Sequence, residues 1–177
     1  MASGVQGIEV SGGSGNDSIT GSADDDILKG LGGDDEINGG EGDDEIEGGD
    51  GDDILKGEDG NDTITGGEGV DVIHGGDGND TLSDTGDSTI YGDSGNDIIY
   101  SRKDENTYGS EQGLTVFGGD GDDEINNYYG SFKKVDAGSG DDVIYTESLG
   151  AEEATLIGGE GYDTLRTRWI NQNINWS

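Results

Sequence analysis

Aspartate recurs every nine residues in the first half of the chain, at Asp17, Asp26, Asp35, Asp44, Asp53, Asp62, Asp71 and Asp80. Five residues before each stands a glycine, from Gly12 to Gly75. Calcium is a hard cation that takes about 6–8 oxygen ligands at about 2.3–2.6 Å. A glycine-rich turn exposes backbone carbonyls, and an Asp held in phase with it adds a carboxylate. One such turn offers half a site. Phase with glycine separates this pattern from a merely solvated acidic face.

Composition makes the same demand. Among 177 residues, 38 are Gly, 27% are hydrophobic, and the formal net charge is −34. Such a chain buries too little apolar surface to offset its entropy, and it stays disordered unless bound counter-ions cancel the repulsion. The absence of Pro favours order over a linker, and the absence of Cys rules out disulfide staples. No apolar run approaches the roughly 20 residues of a membrane helix, and residues 1–6 lack the basic and apolar regions of a signal peptide. The negative charge argues against nucleic acid and against anionic membrane.

Residues 12–83 divide without a gap into nonapeptides such as GGEGDDEIE (39–47), GGDGDDILK (48–56) and GGDGNDTLS (75–83). The pattern is Gly-Gly-x-Gly-x-Asp-x-U-x, with U a large aliphatic residue. Further copies start at Gly92, Gly118, Ala137 and Gly158, and end in the same way around Asp97, Asp123, Asp142 and Asp163. This pattern resembles the RTX (repeats-in-toxin) hemolysin-type calcium-binding repeat. The resemblance implies an all-β fold, a right-handed parallel β-roll or solenoid with two short-strand sheets and calcium-binding turns.

In such a roll the x-U-x residues form a short strand with U inward, and two units make one coil. The rule that places U two residues before the next unit also yields Val10, Ile90, Val116, Val135 and Leu156 ahead of Gly12, Gly92, Gly118, Ala137 and Gly158. All are aliphatic, so the irregular segments 84–91, 101–117, 127–136 and 146–157 each replace one turn and rejoin in register. The turns then stack in two columns. Column one holds Asp17, Asp35, Asp53 and Asp71. Column two holds Asp26, Asp44, Asp62, Asp80, Asp97, Asp123, Asp142 and Asp163.

In the RTX family two successive turns of a column enclose each ion. That implies about ten calcium ions here, held by these Asp residues and by the backbone of Gly40, Gly42, Gly49, Gly51, Gly67, Gly69, Gly76, Gly78, Gly119, Gly121, Gly159 and Gly161. Three departures mark where sites should differ. Asp24 stands where unit two should have its third Gly, Ala137 replaces a first Gly, and Tyr162 replaces the usual Asp or Asn at position five.

The resemblance further implies a secreted, extracellular module that leaves the cell by type I secretion, folds on calcium, and stabilises a larger parent protein. The 11 residues after Arg166 are short for a secretion signal, so the chain reads as a segment of that parent. The expected organisation is a lead-in strand (1–11), a regular roll (12–83), an irregular roll (84–166) and a cap (167–177) carrying Trp169 and Trp176. A monomer is expected.

No enzyme motif is present, and catalytic residues are not expected. His74 falls at an outward strand position. The acidic residues at position three argue against ice binding. The alternative function rests on the insertion loops, where Arg102, Lys103, Lys133 and Lys134 accompany Tyr108, Phe117, Tyr128, Tyr129 and Phe132. They could pack over the roll, or dock a neighbouring domain or an acidic polysaccharide.

Overall fold

A computed structural model describes residues 7–101, 113–127, 132–146 and 154–167. The alternation of aliphatic and polar residues yields β1 (Glu9–Gly13), β2 (Ser18–Thr20), β3 (Ile27–Gly32), β4 (Glu36–Glu41), β5 (Glu45–Asp50) and β6 (Ile54–Asp59). The chain continues with β7 (Thr63–Glu68), β8 (Val72–Asp77), β9 (Thr81–Asp84), β10 (Thr89–Ser94), β11 (Ile98–Ser101) and β12 (Leu114–Asp120). It ends with β13 (Glu124–Asn127), β14 (Phe132–Ser139), β15 (Val143–Thr146), β16 (Thr155–Glu160) and β17 (Thr164–Thr167). Odd-numbered strands form one parallel sheet and even-numbered strands the other, each in sequence order. The result is an all-β solenoid of two facing parallel sheets. Among the described residues, no helix is long and apolar enough to cross a membrane.

Register follows the aliphatic column. Val10 pairs with Leu28, Leu28 with Ile46, and Ile46 with Ile64 in one sheet. Ile90, Val116, Val135 and Leu156 lie in line in the other, so the irregular segments do not shift the roll. Among the described residues, the pairing is irregular at a bulge between β12 and β14, where Lys133 is the extra residue. The inward aliphatics from Ile19 to Leu156 are buried, and Val10 and Leu165 are partly buried against them at the two ends. Each buried aliphatic stabilises the roll by about 1.5–3 kcal/mol.

Apart from β2, strands in the regular half are longer than the three residues predicted from the alternation. β4, for example, runs through Gly39-Gly40-Glu41, the first three residues of the next unit. The ladder continues there because Gly40 pairs with Glu58 and Glu41 with Asp59. Only residues such as 42–44 make the bend. The first glycine of each unit lies two residues after U and therefore faces inward, as the burial of Gly39 and Gly48 shows.

Candidate metal centre

The sixth-position aspartates form two continuous ladders. The backbone N–H of Asp26 donates to Oδ1 of Asp44 (2.7 Å), and the same bond links Asp44 to Asp62, Asp62 to Asp80, Asp80 to Asp97, Asp97 to Asp123, and Asp123 to Asp142. Asp142 donates to Asp163 at 3.2 Å. In column one Asp17 donates to Asp35, Asp35 to Asp53, and Asp53 to Asp71, each at 2.8 Å. Column two stays unbroken even where the sequence separation rises to 26.

Each ladder uses only one oxygen of each carboxylate. Oδ2 of Asp17, Asp35, Asp44, Asp53, Asp62, Asp71, Asp80, Asp97, Asp123 and Asp142 is buried and has no hydrogen-bond partner. A buried, unpartnered carboxylate oxygen is costly and calls for a cation or a proton. None of the ion pairs among the described residues involves these acids. Burial holds Asp44, Asp62, Asp80 and Asp97 up at about 6, and Asp71 and Asp123 at about 7, with neighbouring acids adding to the rise. Asp53 and Asp142 are raised for the same reason.

Backbone oxygens also line the turns. At Gly30, a notional Cβ would meet Oδ2 of Asp35 at 2.1 Å and the carbonyl oxygen of Gly48, one coil on, at 2.5 Å. The carbonyl oxygens of Gly42, Gly49, Gly51, Gly69, Gly78, Gly119 and Gly121 stand within 2.2 Å of where a Cβ on the facing residue of the next turn would lie. Gly51 shows why glycine is needed: its φ is 136°, and a Cβ there would sit 2.2 Å from the carbonyl oxygen of Gly33. The other sequence-predicted glycines share this backbone, with φ between 105° and 148°. Among the described residues no three His, Cys, Asp or Glu side chains gather to hold a metal. Between successive turns a free carboxylate oxygen instead lies beside a backbone carbonyl, as at Gly30, Gly48 and Gly75, and both are oxygen donors of the kind calcium takes.

Residues 11–46, 47–82, 83–108, 115–127 and 134–148 match the RTX calcium-binding nonapeptide repeat. The chain belongs to this RTX repeat family. A comparison with curated proteins finds no match.

The RTX pattern bends at the departures seen in the sequence. In unit two, the backbone N–H of Ser22 donates to Oδ2 of Asp26, and its hydroxyl bonds to Oδ1 at 3.1 Å. Burial raises the Asp26 pKa, but these bonds and the one from the Ile8 N–H outweigh it and hold the carboxyl below its usual value. Asp26 is thus already satisfied. At the other end Asp163 is only half-buried. Ala137 is fully buried and keeps the inward place of a first glycine.

Position five has a role that sequence reasoning missed. Oδ1 of Asp43 accepts the backbone N–H of Asn61 (2.8 Å), Asn61 accepts from Asn79, Asn79 from Asn96, and Asn96 from Asp122. In column one Asp52 accepts from Val70 at 2.9 Å. Asp43 and Asp52 are therefore structural acceptors. The backbone N–H of Tyr162 donates to Oδ1 of Asp141, and Tyr162 lies in the last turn described.

Column one changes chemistry after Asp71. The next turn is one residue shorter, and the Asp71 N–H donates to Oγ of Ser88 at 2.7 Å. Beyond Ser88 the inward place passes to Leu114 and Phe132, which pair across β12 and β14 and are buried. Apolar packing thus succeeds the carboxylates on this edge. Of the basic loop residues, Lys133 pairs with Asp87 (2.9 Å), while Lys134 pairs with Asp136 and lies over the Phe117 ring. Phe117 stacks on Tyr91, which stacks on His74, and His74 bonds to Asp93. Arg102, Lys103, Tyr108, Tyr128 and Tyr129 lie outside the described residues, as does the expected cap apart from Thr167 in β17.

Proposed function

We propose that the chain is a calcium-driven folding module of a secreted, extracellular protein, and that its ions lie between successive turns of each column. The observation that carries this reading is the buried, unpartnered Oδ2 repeated in ten of the twelve sixth-position aspartates. Each proposed ion takes Oδ2 of one turn together with carbonyls of that turn and the next. The Oδ2 of Asp26 is occupied by Ser22, so the first column-two gap is left out. Column one then holds three ions, above Asp17, Asp35 and Asp53. Column two holds six, above Asp44, Asp62, Asp80, Asp97, Asp123 and Asp142.

Mechanism follows by linkage. An unfolded chain has no preformed gap, so the free energy of binding becomes free energy of folding. Extracellular calcium modules bind at about 10⁻⁴–10⁻³ M, far above the calcium level inside a cell. The chain stays extended before export and folds outside, which suits the type I secretion associated with the RTX resemblance. Circular dichroism with and without calcium tests this directly. At neutral pH the strand signal should rise steeply with calcium, and a spectrum in excess chelator equal to that of the calcium-loaded chain would refute the reading.

A further inference from the structure

The gap above Asp71 lies at the end of column one, where the repeat stops. Its upper wall is the irregular segment 84–88 instead of a nonapeptide turn. Asp84 occupies the inward place of a first glycine and is 1% exposed, while Asp71 is fully buried. A notional Cβ on Gly66 would meet Oδ2 of Asp71 at 2.5 Å and Oδ1 of Asp84 at 2.8 Å. In the turns below, the second oxygen at that point is a backbone carbonyl, as Gly48 is above Gly30 and Gly66 is above Gly48. Here a second carboxylate replaces it.

The neighbouring bonds fix Asp84 in that position. Its Oδ1 accepts the backbone N–H groups of Thr85 (2.6 Å) and Gly67 (3.3 Å). The Thr85 hydroxyl donates to the Gly67 carbonyl at 2.5 Å, which removes one carbonyl from the gap. Ser88 takes over the acceptor role of the sixth position. Oδ2 of Asp71 and Oδ2 of Asp84 both remain buried without a hydrogen-bond partner. The nearby basic side chain, Lys133, is committed to Asp87.

We infer that Asp71 and Asp84 together hold a divalent cation, a tenth site outside the nonapeptide pattern that closes column one. It rests on the reading that calcium fills the gaps between turns. Two carboxylates in one gap give it more ligand charge than its neighbours, and ligand charge is a main determinant of calcium affinity. This gap therefore fills first as calcium rises, and it anchors the boundary between the ion-bearing edge and the apolar edge at Leu114 and Phe132.

Equilibrium dialysis of the full chain against calcium, with Asp84→Asn and the exposed, equally charged control Asp50→Asn, tests this. Asp84→Asn keeps the acceptor for Gly67 and Thr85 but removes the charge. It should bind one ion fewer than both the wild type and the control, with the tightest binding step weakened about tenfold or more. Without calcium it should fold at least as readily as the wild type, since one of two facing anions is gone. A purely structural Asp84 would weaken both forms. Unchanged ion count and affinity, or equal loss of stability with and without calcium, would overturn the site. If the wild type bound no calcium, the wider reading would fail with it. If the wild type filled its other gaps and Asp84→Asn lost nothing, only the tenth site would fall.

Discussion

Asp80 serves two purposes with one side chain: Oδ1 accepts the backbone N–H of Asp62 at 2.8 Å, while Oδ2 is buried with no donor. The substitution Asp80→Asn separates them, because the amide oxygen still accepts and the free anionic oxygen is lost. Calcium affinity at that gap should fall about tenfold or more. The calcium-free chain should not be destabilised at pH 7, since a buried charge has been removed. Calcium titrations followed by circular dichroism read the first effect and denaturant curves in chelator the second. An unaltered calcium midpoint would remove Asp80 from the proposed ligand set.

Acid should partly replace calcium. Burial raises Asp44, Asp62, Asp80 and Asp97 to about 6 and Asp71 and Asp123 to about 7, against an ordinary value of 3.8. Between those values the folded, metal-free chain binds more protons than the unfolded one, so its stability falls as pH rises from about 4 to about 7. Strand signal in chelator should grow as pH is lowered from 7 toward 4. A signal that stays flat or declines over that range would count against buried, metal-free carboxylates in the roll.

At the fourth position of the unit, glycine is needed where an earlier coil lies beneath it. Gly51→Ala places a Cβ against the Gly33 carbonyl at positive φ, and should cost about 3 kcal/mol or more. Gly15 holds the matching place in the first turn, and a Cβ there meets nothing within 4 Å. Gly15→Ala should change stability by no more than about 0.5 kcal/mol. Thermal melts in saturating calcium compare the two, and equal losses would contradict the stacking.

The fifth-position ladder predicts a difference between two substitutions of one acid. Asp43→Ala strands the Asn61 N–H and should cost about 1 kcal/mol, whereas Asp43→Asn keeps an acceptor and should cost nearly nothing. If both variants melted together, the bond to Asn61 would carry no stability.

Much of this architecture was legible in the residues. Val116 and Val135 fell on the aliphatic rule despite long insertions, because an inward strand position tolerates little else, and both are fully buried. The two Asp columns were legible because carboxylate and glycine share one period. Asp84 and Ser88 were not, since a shortened turn breaks that period while preserving the geometry. The ladder through Asp43 was hidden because its partner is a backbone N–H 18 residues away, and nothing in side-chain identity reports that. The extra strand length was hidden similarly, in pairing by glycines such as Gly40.

The two ladders run in opposite directions. Position six reaches back toward the N-terminus, as Asp71 does to Asp53, and position five reaches forward, as Asp52 does to Val70. The roll is therefore a vector with chemically distinct head and tail. Every coil is finished by its successor: the N–H of Asp53 has no acceptor until Asp71 arrives. A roll that orders from its N-terminus therefore always carries one incomplete coil at its growing end, which only the next coil's carboxylate completes.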